Sequence, residues 1–196
     1  MTCFSASSSP FFSHFIDQKK IPHALLFYGS KDSYVEFVAR QLAIDFFCLY
    51  QGKDYCEKTK SRIENDTFTD LHFFHFDKSI KVEVVKEWQE LVGYGPTEHQ
   101  YKVIVISGCE TLTKAAANAF LKTLEEPLEG ICFFLCTTLL PRVEPTIQSR
   151  CQMVYCASQN KSVVDAYVEN QPQCIQDFYA DHYDVLSPSS NDLPPF

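Results

Sequence analysis

The sequence lacks the features that mark membrane and secreted proteins. Its longest apolar stretch, at residues 131–140, is interrupted by Thr137 and Thr138 and falls well short of the ~20 residues that a membrane-spanning helix needs. Residues 1–5 contain neither a basic segment nor a sustained apolar segment, so we expect no secretory signal. These absences predict a cytoplasmic protein that has no membrane partner.

The chain also lacks an excess of positive charge. It has 17 lysine and arginine residues against 25 aspartate and glutamate residues, which gives a formal net charge of −8. Proteins that grip DNA on their own obtain most of their affinity from basic side chains that neutralise phosphates. We therefore expect any contact with nucleic acid to be indirect or shared with other subunits.

What the chain does contain is typical of a globular protein. Its 196 residues are 45% hydrophobic and 21% charged, which gives room for one α/β domain and a small appendage. The nine cysteines are an odd number, and Cys109, Cys132 and Cys136 lie in or beside apolar runs. Buried, reduced thiols explain this pattern better than a disulfide framework does.

Short apolar runs alternate with amphipathic segments along the first three quarters of the chain. The runs predict strands at residues 23–29, 70–76, 101–106, 131–137 and 152–156. The periodic segments predict helices at residues 33–47, 80–92 and 113–126. This alternation indicates a doubly wound α/β fold with a parallel sheet sandwiched by helices, in which ligands bind beyond the carboxyl ends of the strands.

The first predicted strand ends at Gly29 and leads into a helix, which is where a phosphate-binding loop would lie. The motif G-x-x-x-x-G-K-[ST], counted from Gly29, instead places Tyr34 at the second glycine, Val35 at the lysine and Glu36 at the hydroxyl residue. The bulky ring, the missing ammonium and the added negative charge each oppose phosphate or Mg²⁺ binding. Lys31 comes four positions too early. We predict a degenerate phosphate loop that does not bind ATP.

The third predicted strand gives an independent test of the same idea. A hydrolysing P-loop enzyme ends this strand with acidic residues that hold Mg²⁺ and activate water, whereas this strand leads into Ser107 and Gly108. Glu110 lies beyond the strand end. We predict a degenerate acid site and no intrinsic ATPase, and the alternative is an ATP-binding ATPase that uses Lys31 and Glu110 in place of the usual residues.

Two further segments carry a specific resemblance. Residues 113–127 read TKAAANAFLKTLEEP, residues 145–151 read PTIQSRC, and Thr137 and Thr138 end the fourth strand between them. Over about residues 10 to 156 the chain resembles the AAA+ clamp-loader subunits of bacterial DNA polymerase III. Within that family its degenerate phosphate loop is similar to that of the delta-prime branch, not to that of the ATP-hydrolysing gamma/tau branch.

The resemblance implies a role in DNA replication as part of a DNA-directed DNA polymerase, a nucleotidyltransferase holoenzyme. The implied partners are the gamma/tau and delta subunits and the sliding clamp, with DNA contacted only indirectly. Arg150, between Ser149 and Cys151, matches the arginine that enters a neighbour's ATP site, a role that suits its planar, always-charged fork. Thr138, or Thr137, occupies the family's sensor position and is expected to remain as a structural hydroxyl.

The chain departs from the family at a zinc module. Clamp-loader subunits commonly carry four cysteines after the first helix, and only Cys48 and Cys56 match, while Thr59 and Arg62 stand at the other two positions. Two thiolates cannot complete a tetrahedral zinc site, and a cation at a third ligand position opposes metal binding. We expect two remnants of a metal site, no zinc and no other cofactor.

The chain is also shorter than the family pattern. The resemblance divides it into an AAA+ core at residues 1–156, a partial helical lid at residues 157–186 and a flexible tail at residues 187–196. The roughly 40 residues after Cys156 are too few for the collar domain that joins family members into a ring. A fragment of a longer polypeptide, a reduced subunit and a free-standing adaptor detached from the clamp loader are the alternatives.

Overall fold

A five-stranded sheet forms the centre of the computed structural model, which describes residues 22–50, 62 and 67–157. The strands are β1 (Ala24–Tyr28), β2 (Leu71–His75), β3 (Lys102–Ser107), β4 (Ile131–Thr137) and β5 (Gln152–Tyr155). The α-helices are α1 (Val35–Tyr50), α2 (Val82–Gly93), α3 (Lys114–Glu125) and the single-turn α4 (Pro145–Gln148). Short 3₁₀ turns lie at Lys31–Ser33, Cys109–Thr111 and Leu140–Arg142.

All neighbouring strands are parallel, in the order β2-β3-β4-β1-β5. β1 lies between β4 and β5, with Leu26 level with Leu135 on one side and with Met153 on the other. β3 and β4 are buried along their whole length, as strands covered by helices on both faces should be. The predicted doubly wound α/β fold is therefore confirmed, and every end of the five strands differs from the prediction by one residue or less.

The sheet separates two apolar layers. Leu25 and Phe27 of β1 pack into the layer that contains α1, whereas Ala24 and Leu26 pack into the layer that contains α2 and α3. Successive side chains of a strand point to opposite faces, so β1 contributes to both layers. Each fully buried leucine or phenylalanine side chain contributes about 1.5–3 kcal/mol to folding. The two layers therefore stabilise the sheet, whose edge carries the candidate site.

The helices differ in detail from the sequence prediction. The first helix begins at Val35, not at residue 33, because Lys31–Ser33 forms a 3₁₀ turn before it. The periodicity of residues 80–92 predicts Ile80, Val84, Trp88 and Leu91 on one face, whereas the buried residues of α2 are Val85, Trp88 and Val92. In α3 the spacing predicts Ala119 in the core, whereas Ala117 is buried there and Ala119 is only partly buried.

The chain divides into two compact units, Met1–Ser158 and Gln159–Phe196, and every described residue lies in the first. The predicted lid and tail fall outside the described residues, so the domain boundaries at residues 156 and 186 stay predictions. Within the described part of the chain, no helix is both long enough and apolar enough to cross a membrane.

Candidate functional site

The loop after β1 is packed against itself. Ser33 is fully buried, its backbone N–H donates to the carbonyl of Ser30 at 3.0 Å, and the two hydroxyl oxygens lie 3.1 Å apart. A Cβ atom on Gly29 would lie 2.5 Å from the carbonyl oxygen of Cys156 and 2.6 Å from the hydroxyl oxygen of Ser33. The space on the Cβ side of Gly29 is thus filled by Ser33 and by the backbone at Cys156.

Tyr34 and Val35, which follow Ser33, differ from the motif in backbone conformation and in burial. Tyr34 adopts the left-handed conformation, with φ 46° and ψ 47°, that usually belongs to glycine, and it is the one non-glycine residue with positive φ among those described. Val35, at the position of the motif's lysine, is 3% exposed and packs into the core layer with α1. An ammonium group at this position would have to leave water, which is costly.

Glu36, the third substituted position, belongs to a chain of ionic hydrogen bonds. Its carboxylate lies 2.9 Å from Nδ1 of His75, at the end of β2, and Nε2 of the same ring lies 2.9 Å from Asp77. The hydrogen bond to Glu36 is the largest of the causes that raise the pKa of His75 to about 9, and burial opposes it. A protonated His75 therefore balances the negative charge of Glu36 near neutral pH, with no need for a bound cation.

The acid site is closed by backbone packing. Ser107 is buried, and its carbonyl accepts the N–H of Phe76 at 3.1 Å. Gly108 has φ 80°, and a Cβ atom there would lie 2.1 Å from the carbonyl oxygen of Phe76. Position 108 therefore has no room for an acidic side chain. Glu110, in the turn that follows, is partly buried, and its Oε2 has no hydrogen-bond partner among the described residues, whereas Lys31 is exposed.

The described cysteines behave as the sequence predicts. Five of them are free and buried, at positions 109, 132, 136, 151 and 156. Burial raises the pKa of the thiols of Cys132, Cys151 and Cys156 to about 12. These thiols stay protonated at physiological pH and are poor nucleophiles and poor metal ligands.

The predicted remnant of a zinc module is described at one position only. The side chain of Cys48 and the whole of Cys56 lie outside the described residues, as does Thr59. Arg62, at the last of the four ligand positions, forms two hydrogen bonds of 2.7 Å to the carboxylate of Glu98, and this pairing lowers the pKa of Glu98 to about 2. The expectation that zinc does not bind stays a prediction.

The two threonines at the end of β4 have different environments. Thr137 is buried, and its hydroxyl oxygen accepts the backbone N–H of Leu139 at 2.9 Å, which fixes the turn after the strand. Thr138 is partly exposed. Thr137 thus has a structural hydroxyl, and the assignment of Thr138, or Thr137, to the sensor position stays a prediction.

Arg150 lies at the surface just after α4. Its Nη1 donates to the carbonyl of Thr146 at 3.0 Å, its Nη2 pairs with the carboxylate of Glu125, and a third of its side chain is exposed. Ser149 also donates to the carbonyl of Thr146, at 3.0 Å, while Cys151 is buried and anchors the segment in the core. A surface arginine that pairs with Glu144 or with a helix end is the alternative to a finger, and in the structure Arg150 contacts a carbonyl of α4 and pairs with Glu125, not with Glu144.

The fold brings the predicted residues together in two separate groups. Gly29, Tyr34, Val35 and Glu36 lie at the junction of β1 and α1, to which β2 adds His75, a residue that no local motif assigns to this place. Arg150 lies beside the end of α3, where it contacts Glu125. Both added partners are distant in sequence, 39 and 25 residues away, so no local spacing could reveal them.

Comparison with known proteins gives concordant results. Residues 5–160 match the family model described as DNA polymerase III, delta subunit. The chain is 35% identical over 158 residues to the DNA polymerase III subunit delta' of Bacillus subtilis, covering 79% of this chain and 48% of that protein. It is 31% identical over 153 residues to the subunit delta' of Haemophilus influenzae, covering 76% and 47%.

Solved structures resemble the fold. A DNA polymerase III gamma subunit-related protein from Thermotoga maritima gives a TM-score of 0.59 at 22% identity, over 87% of this chain and 52% of that one. The DNA clamp loader delta protein of Bacillus subtilis gives 0.51 at 10% identity, over 82% and 45%. The chain spans about half the length of the curated delta' relatives that it matches. From the family model and these relatives, the chain belongs to the DNA polymerase III delta subunit family, on the delta-prime side of the AAA+ clamp-loader proteins.

Proposed function

We propose that the chain is a non-catalytic, delta-prime-like subunit of a clamp loader that acts in DNA replication. In this role it assists the ATP-dependent loading of the sliding clamp and supplies Arg150 to the ATP site of a neighbouring subunit. The observation that carries the proposal is a contrast: Ser33 and Val35, at the position of a phosphate loop, are buried, while a third of the Arg150 side chain is exposed.

The chemistry of Arg150 suits this role. A guanidinium is always charged and presents a rigid fork of N–H donors that matches phosphate oxygens. An arginine supplied from a neighbouring chain stabilises the charge that develops during phosphoryl transfer, typically by about 10³- to 10⁵-fold in rate. Ser149 and Cys151 hold the segment that presents it.

The proposed partners are the gamma/tau and delta clamp-loader subunits and, within the complex, the sliding clamp. The names of the relatives support this: besides delta', they include DNA polymerase III subunit tau of Escherichia coli and of Bacillus subtilis. With a net charge of −8 the chain is poorly suited to bind DNA directly. As a component of the polymerase holoenzyme it would act in the cytoplasm without an ATPase activity of its own.

Reconstitution of the clamp loader with Arg150→Ala tests the finger role. We expect the variant to lose the share of clamp-stimulated ATP hydrolysis that arises at the site facing Arg150, measured as steady-state phosphate release with clamp and primed DNA. Arg142→Ala removes another exposed arginine eight residues earlier and is the matched control. Unchanged hydrolysis in the Arg150 variant would contradict the proposal.

Two binding measurements separate the alternatives. Titration of the chain alone with fluorescent ATP should give no Mg²⁺-dependent binding, and tight binding would favour an ATP-binding enzyme that uses Lys31 and Glu110. Affinity purification of the tagged protein from its own cells should recover gamma/tau and delta subunits. Recovery of neither subunit would favour a free-standing adaptor.

A further inference from the structure

Glu125 makes the one acidic contact that the structure describes for Arg150. It is the last residue of α3, its side chain is about half exposed, and its Oε1 pairs with Nη2 of the guanidinium. Nη1 of the same guanidinium donates to the carbonyl of Thr146 in α4. Two different helices thus hold two different nitrogens of one side chain.

Both acceptors lie on well-anchored backbone. The last turn of α3 is fixed by Phe120 and Leu124, which are 0% and 2% exposed. The short helix α4 is fixed by Ile147, which is fully buried, and by Gln148, whose side-chain amide donates to the carbonyls of Leu140 and Val143 at 3.2 and 2.8 Å. The position of the guanidinium is therefore set by two rigid elements, although the arginine itself is long and flexible.

The described contacts leave part of the hydrogen-bonding capacity of Arg150 unused. A guanidinium has five N–H donors, and the contacts to Thr146, Ser149 and Glu125 use at most three of them. A third of the side chain is exposed to solvent. An arginine side chain that is already ordered loses little rotamer entropy when it binds a phosphate. The lower entropy cost leaves more of the binding free energy to stabilise the transition state.

We infer that Glu125 is the positioning residue of Arg150: its carboxylate holds the guanidinium in the orientation that the neighbour's ATP site requires. This inference rests on the proposed function of Arg150. A surface ion pair of this kind adds little stability, so its effect is expected on the geometry of the arginine and not on folding. Glu126, the next residue, is also exposed and lies at the helix cap, so it offers a matched control.

The first experiment measures the chain alone. In ¹⁵N relaxation of the arginine Nε–Hε groups, the signal of Arg150 should have the order of a held side chain in the wild type and in Glu126→Gln. Glu125→Gln, which keeps the shape and removes the charge, should lower that order to the value of a solvated arginine. Equal order in all three proteins would overturn the inference without reference to any partner subunit.

The second experiment measures the reconstituted clamp loader. We expect Glu125→Gln to lower the kcat of clamp-stimulated ATP hydrolysis about three- to tenfold at the site facing Arg150, with the KM for ATP unchanged. The double variant with Arg150→Ala should be no slower than Arg150→Ala alone. An effect of Arg150→Ala without any effect of Glu125→Gln overturns this inference only, while no effect of Arg150→Ala overturns the proposed function and this inference with it.

Discussion

The closed loop after β1 and the surface around Arg150 are two regions that bear on the same chemistry, the recognition of phosphate. In the first, small and apolar side chains fill the space: Ser33 packs on Gly29, and Val35 enters the core. In the second, a third of the Arg150 side chain is exposed, and its guanidinium contacts the carboxylate of Glu125, the carbonyl of Thr146 and the hydroxyl of Ser149. The difference teaches that internal packing can close a loop at the end of a strand, whereas a charged side chain at the surface is oriented by a few exposed contacts.

The substitution with the largest expected effect introduces the lysine of the phosphate-binding motif at position 35. Val35→Lys should destabilise the protein by about 4 kcal/mol, because the ammonium would be buried without a partner, and it should not create ATP binding. Chemical denaturation and ATP titration measure the two effects. Val82→Lys is the control, since Val82 is likewise the first residue of its helix but is only partly buried. An equal loss in both variants would contradict the buried position of Val35.

The next largest effect is expected at the closed acid site. Gly108→Ala should cost about 3 kcal/mol, because the new Cβ would collide with the carbonyl of Phe76 and the residue has a positive φ. Gly95→Ala is the control: Gly95 also has a positive φ, 65°, but a Cβ there meets nothing within 4 Å. Thermal or urea unfolding should rank the Gly108 variant well below the Gly95 variant. Similar losses would mean that the backbone packing at position 108 is looser than described.

A smaller effect is expected from the ion pairs of His75. Its folded-state pKa of about 9 lies above the ordinary value of 6.5, so its contribution to stability is complete below pH 6.5 and is lost as the pH rises to 9. Solvent screening limits this contribution to about 1 kcal/mol. The free energy of unfolding of the wild type should therefore fall across this range more steeply than that of His75→Gln. Parallel pH profiles would contradict the charged His75.

The smallest effect on stability is expected from Arg150→Ala. The residue is a third exposed and its ion pair lies at the surface, so its loss should cost at most about 1 kcal/mol. The variant should nevertheless strongly reduce ATP hydrolysis at the neighbouring subunit's site. A small effect on stability together with a large effect on activity would distinguish Arg150 from the buried residues of the loop after β1. A large drop in Tm for this variant would mean that the arginine is structural.

The sequence predicts the fold well because the fold rests on local patterns. Continuous apolar runs identify all five strands, and the residues at Tyr34, Val35 and Glu36 predict a degenerate loop by their chemistry alone. The sequence does not predict what replaces the missing ligands. The pairing of Glu36 with His75 and of Arg150 with Glu125 depends on how distant segments meet in space, and hydrophobic periodicity carries no information about such pairs. The exposure of β5 also does not follow from its sequence: three of its four residues are exposed, and only Val154 is buried.

The order of strands in the sheet has a consequence for how the chain is made. Among the described strands β1 is translated first, but its two neighbours in the sheet are β4 and β5, the last two of those strands to emerge, with Ala24 level with Phe133. At about 5–20 residues per second, a ribosome needs roughly 6 to 25 s to complete those partners, so the apolar residues of β1 stay without their sheet neighbours for that time. The nascent chain should therefore be a client of ribosome-associated chaperones, and slowing its synthesis should lower the yield of soluble protein.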